Sequence, residues 1–99
     1  MTSPYTIRPA NDNDAPAIRT LVWQAKINPS GLKWPRFIVA VTPAENGNPE
    51  QVIACGQVKP HVDGTQELAS IVVIPPWQGQ GIARAIIERL LSLYPGEMF

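Results

Sequence analysis

Residues 67–83, Glu67-Leu68-Ala69-Ser70-Ile71-Val72-Val73-Ile74-Pro75-Pro76-Trp77-Gln78-Gly79-Gln80-Gly81-Ile82-Ala83, decide how the whole chain is read. The run Ile71-Val72-Val73-Ile74 is apolar at every position, as a strand covered on both faces must be. Pro75 and Pro76 stop it. Glycines then alternate at 79 and 81, and a helical apolar pattern opens at once, so several main-chain N–H groups converge at a helix N-terminus. Such a cradle binds anions. Each charge-assisted hydrogen bond contributes about 1.5–3 kcal/mol and the helix dipole roughly 0.3–1 kcal/mol more, enough to hold a pyrophosphate without a lysine. Spacing argues against two common phosphate loops. The chain has no Gly-x4-Gly-Lys-Ser/Thr, and Arg84 stands where a dinucleotide fingerprint needs a third glycine or alanine.

Outward from this stretch, the spacing of Ile82, Ile86, Leu90 and Leu93 predicts a helix over 80–94, widened by Ala83, Ile87, Leu91 and Tyr94 and ended by Pro95-Gly96. Upstream, β-like runs at 37–42, 51–58 and 67–74 are separated by Asn46-Gly47 and Asp63-Gly64, pairs suited to tight turns, which predicts an antiparallel meander. Tyr5-Thr6-Ile7-Arg8 reads as a short strand near a sheet edge. Asn11 to Asp14 supply capping side chains for a helix over about 12–26, with Pro16 in its first turn, stopped by Asn28-Pro29-Ser30-Gly31 and followed by a loop to about Arg36. The order β-α-β-β-β-α is an α+β layered domain, mainly antiparallel sheet with a helix on each face.

Ninety-nine residues make one domain or part of one. Apolar residues are 44% and charged residues 16%, so the chain carries a core rather than the composition of a disordered polymer. Eight Lys/Arg balance eight Asp/Glu, which leaves no net charge to draw in a phosphate backbone and argues against nucleic acid as a partner. No apolar run approaches the roughly 20 residues of a membrane span. A single cysteine, Cys55, and no basic-apolar leader make the cytoplasm the expected compartment. One His, one Cys and scattered carboxylates form no metal constellation.

The segment Val73 to Ala83 resembles the coenzyme A signature of the GNAT superfamily of acyl-CoA-dependent N-acetyltransferases, a Gln/Arg-x-x-Gly-x-Gly/Ala pattern after a Val-x-Pro strand end; here Gln78, Gly81 and Ala83 fill those positions. Ile7-Arg8-Pro9-Ala10 before an Asp-rich helix start is also similar to the family, and the likeness covers about 1–92. The resemblance implies an acetyl-CoA-dependent enzyme that acetylates a primary amine of a small molecule or protein, without a metal; a weak or inactive CoA-binding module is the alternative. It implies that main-chain N–H groups of Gln78, Gly79, Gln80, Gly81, Ile82 and Ala83 hold the pyrophosphate. Backbone of Ile71 and Val73 pairs with the pantetheine arm, and the Val73 N–H meets the thioester carbonyl. Glu67, six residues before Val73 and on the same strand face by parity, is the candidate general base; it also reads as a surface residue at a strand start.

Arg84 either reaches a CoA phosphate or pairs with Glu88 at i,i+4 spacing. His61, beside Pro60, reads as an exposed turn histidine, and Cys55 as a small core residue. Trp23 and Trp34 read as anchors of a core or lid rather than as acceptor-pocket walls, Trp77 as a packing residue of the loop and Tyr94 as one of the helix end. The family pattern continues with a parallel strand, a helix and a closing hairpin, whereas this sequence stops at Phe99. That leaves strand 67–74 with an open edge and predicts either a homodimer covering it or a piece of a longer acetyltransferase.

Overall fold

Among the described residues, four strands form one antiparallel sheet in chain order: β1 (Thr6–Pro9), β2 (Phe37–Thr42), β3 (Gln51–Pro60) and β4 (Gln66–Val73). The computed structural model describes residues 4–26, 33–45 and 47–95. Two helices, α1 (Ala15–Gln24) and α2 (Ile82–Leu93), cover the two faces. Strict alternation along β2 divides the core: Phe37, Val39 and Val41 join Ile18, Leu21 and Val22 of α1, while Ile38 and Ala40 join Ile82, Ile86 and Leu90 of α2. Both-sides-apolar strands therefore sit where two helices can bury them, as their sequence required.

Element ends differ from the sequence reading for local reasons. Residues 12–14 form a 3-10 turn, capped by a capping box in which Asn11 Oδ1 accepts from Asn13 N–H and Asp14 reaches back to Asn11 N–H. The α-helix proper begins only at Ala15, with Pro16 in its first turn. It ends at Gln24 because Lys26 turns to a φ of 58°. The second helix starts at Ile82 rather than 80, because Gly81 sits at a φ of 80°. Leu93, expected on the buried stripe, is exposed; Ile82, Ile86 and Leu90 carry the burial alone. β3 runs two residues further than expected, to Pro60, and β4 covers 66–73. Asn28 to Gly31, Asn46 and Gly96 lie outside the described residues. Among the described residues, no helix is long and apolar enough to cross a membrane.

Arg8 fastens the edge strand to α1. Its guanidinium donates to Asp14 Oδ2 at 2.7 Å and Oδ1 at 3.1 Å, and to Glu50 Oε1 at 2.6 Å. Burial pushes the Asp14 carboxyl up, but the Arg8 hydrogen bond, the Asn11 N–H and the Arg8 charge together hold it below the usual carboxylate range. A carboxyl depressed in the folded state stabilises the fold above its ordinary value near 3.8, and that stability is lost as pH falls through the folded value. Asp14→Asn is expected to lower stability by about 2–3 kcal/mol at pH 7 in urea titrations and to flatten the acid limb of the stability curve.

Candidate active site

β4 is the sheet's second edge and carries the feature the sequence concealed. Between its pairs Ala69–Gln57 and Val72–Cys55, two residues, Ser70 and Ile71, stand opposite Gly56 alone. Ser70 takes a φ of 56°, an uncommon angle for a non-glycine residue. Two buried side chains of β3 reach this bulge: Gln57 Nε2 donates to Ser70 Oγ at 2.9 Å and Cys55 Sγ to Ser70 C=O at 3.5 Å. Gly56 fits because a Cβ there would lie 2.6 Å from Ile71 Cδ1 and 2.8 Å from Ile86 Cγ2. The extra residue reverses the face alternation. Leu68, Ile71 and Val73 all pack toward α2, whereas Val72 packs toward α1. Glu67, the neighbour of Leu68, therefore lies on the face opposite Val73, and the same-face expectation from parity is overturned.

The strand then delivers the chain to the turn. Ile74 N–H donates to Ile53 C=O at 3.0 Å, so alternation aims the N–H of Val73, and that of Ile71 two residues earlier, at the open edge. Pro75–Trp77 form a 3-10 turn, and Trp77 packs edge-on against Tyr5 with ring centroids 6.4 Å apart. Gln78 Nε2 donates to Val73 C=O at 3.0 Å, tying turn to strand end. Gly79 and Gly81 hold φ of 81° and 80°, and a Cβ on either would meet nothing within 4 Å. Their requirement is conformational rather than steric.

These angles leave a row of donors without protein partners. Among the described residues, the N–H groups of Gly79, Gln80, Gly81, Ile82 and Ala83 make no hydrogen bond within the chain, and Gly81 caps α2 with no side chain. The expected set is one residue shorter at its start, since Gln78 N–H turns inward to Pro75 C=O at 3.2 Å. A cavity of about 330 Å³ opens here, lined by Val73, Trp77 and Arg84 together with the turn. A larger cleft of about 1020 Å³ lies between α1 and the β2–β3 end and touches none of these donors; the unpaired amides, not size, make the smaller one the candidate site.

The remaining expected residues separate. Arg84 lines the cavity but its Nε pairs with Glu88 Oε1 at 3.1 Å. Cys55 is fully buried, and burial pushes its thiol up to about 12, which removes it as a nucleophile. Trp23 is 72% exposed and anchors no core; Trp34 is also exposed. Tyr94 packs at the end of α2. His61 sits in the β3–β4 turn with Nε2 3.0 Å from Glu67 Oε1, a pairing no spacing rule announced. Among the described residues, no cluster of three or more His, Cys, Asp or Glu could hold a metal.

No curated protein sequence matches the chain. Solved structures do. Rv2747 from Mycobacterium tuberculosis, solved with CoA, is 30% identical and superposes with a TM-score of 0.72 over 89% of this chain and 56% of that one. N-acetylglutamate synthase from Neisseria gonorrhoeae, solved with coenzyme A and L-arginine, shares the fold at 18% identity and TM-score 0.70, over 93% of this chain and 22% of that one. Diaminobutyrate acetyltransferase from Paenibacillus lautus, with its substrate and coenzyme A, does so at 16% identity and 0.68, over 91% and 58%. The chain thus spans little more than half the length of the longest-covered of these three and under a quarter of another. The sequence pattern of the Acetyltransferase (GNAT) family matches residues 5–98, which contain the sheet, both helices and the donor turn, and so the chain belongs to the GNAT acetyltransferase family.

Proposed function

We propose that this chain binds acetyl-CoA at the 79–83 turn and transfers the acetyl group to a primary amine. One observation carries the reading: five consecutive N–H groups without protein acceptors at the start of a 12-residue helix, directly beside an open strand edge. A diphosphate satisfies the first, and the amide-bearing pantetheine arm satisfies the second by adding itself to β4 as a short strand.

Glu67 is the proposed base, removing the proton that keeps the acceptor ammonium from attacking. At about 3.3 Å per residue, it stands roughly 20 Å along the strand from Val73 but roughly 13 Å from Ile71. The nearer N–H, that of Ile71, therefore suits the thioester oxygen, leaving Val73 to the arm. As the amine attacks, charge develops on that oxygen, and a preorganised N–H there contributes on the order of 10²–10³ in rate.

Calorimetry with acetyl-CoA, followed by thiol release on adding an amine panel, tests the proposal. Binding with thiol release supports transfer; binding without it assigns the chain as a CoA-binding module; absence of binding ends the reading. Glu67→Gln is expected to lower kcat by about 10²–10⁴ with unchanged acetyl-CoA affinity. The open β4 edge also supports the homodimer as a proposal, and light scattering that returns the mass of one chain removes it.

A further inference from the structure

The β3–β4 turn is built more firmly than a five-residue connection needs. His61 N–H donates to Thr65 C=O at 2.8 Å, and His61 C=O accepts from Gly64 N–H at 3.0 Å. Asp63 Oδ1 accepts from both the N–H of Thr65, at 3.0 Å, and its hydroxyl, at 2.6 Å, while Gly64 takes a φ of 90°. Both main-chain groups of His61 are thus held, and its ring is delivered to Glu67, whose cross-strand partner is Lys59.

We propose that His61 is the positioning residue for the proton-accepting carboxylate. This rests on Glu67 acting as the base. With its proton on Nε2 the imidazole donates to Glu67 Oε1, which fixes the carboxylate's rotamer and leaves Oε2 as the oxygen that takes the proton from the acceptor. The step is balanced. An N–H bond of the ammonium breaks, its electron pair stays on nitrogen as the nucleophile, and an O–H bond forms at Oε2, directly or through one water. His61 gains and loses nothing; it keeps a long, otherwise rotatable side chain in one geometry.

Four variants and one spectrum test this. His61→Leu removes the donor and is expected to lower kcat about tenfold with KM for acetyl-CoA unchanged, whereas His61→Gln, whose amide N–H replaces Nε2–H, retains kcat within about threefold. A merely structural role would not separate the two in kcat at equal folded fraction. His61 is the only histidine in the sequence, so its ring nitrogens report alone. Nitrogen-15 shifts should show the proton biased to Nε2 in the parent, with that bias lost in Glu67→Ala, which removes the acceptor. Equal spectra, or undiminished kcat in His61→Leu, overturn the positioning role. Full turnover in Glu67→Gln, or no turnover in the parent, instead overturns the base assignment and this inference with it.

Discussion

Gly81→Pro is expected to weaken acetyl-CoA binding by at least about 100-fold. Proline fixes φ near −65°, whereas Gly81 holds 80°, and it deletes one of the five donor N–H groups. One charge-assisted hydrogen bond at about 1.5–3 kcal/mol already corresponds to roughly 10–150-fold, and reversing φ turns the neighbouring donors away as well. The milder Gly81→Ala keeps the donor but must carry a side chain at positive φ, a strain of about 1–2 kcal/mol, so a graded loss is expected. Helix content should survive in both, because α2 is anchored by Ile82, Ile86 and Leu90 rather than by its cap. Calorimetry on the two variants checks this; a Gly81→Pro protein binding within fivefold of the parent would show that the turn does not grip the ligand.

Gly56→Val should produce the largest loss of stability in the fold. The position faces α2 across from the Ser70 bulge, and even the first added carbon would meet Ile71 Cδ1 at 2.6 Å and Ile86 Cγ2 at 2.8 Å. Overpacking a full core costs about 1–3 kcal/mol, and the stiff branched side chain takes valine to the upper end. In a domain of this length about 3 kcal/mol lowers Tm by roughly 12–24 °C. Shaving the opposing methyl, as in Gly56→Ala with Ile86→Val, should recover part of the loss. A Gly56→Val protein melting within 3 °C of the parent would mean that helix and sheet do not approach this closely.

Most of this architecture was legible because it is written in local patterns. Strand and helix periods place all six regular elements to within about three residues, the start of α1 being the largest miss, and the alternate glycines announce the donor turn. What was missed is set by contacts distant in sequence. The Ser70 bulge depends on Gly56 and Gln57 of the facing strand, so parity counted along β4 alone put Glu67 on the wrong face. One signal was present: a lone serine within an otherwise apolar strand, opposite a glycine. The inward turn of Gln78 N–H follows from the 3-10 turn that Pro75 and Pro76 impose, and the exposure of Trp23 from which face of α1 meets the sheet. His61 meets Glu67 because β3 continues to Pro60, an extension that a strand predicted to stop at Val58 conceals.

The proposed grip of peptide groups has a hereditary consequence. Point mutations exchange side chains and seldom touch the amide itself, so the outward letter at Gln80 is free to drift while the hold on the ligand stays whole. The constraint is concentrated in two achiral residues, Gly79 and Gly81, which another letter can replace only by carrying the strain of a side chain at positive φ.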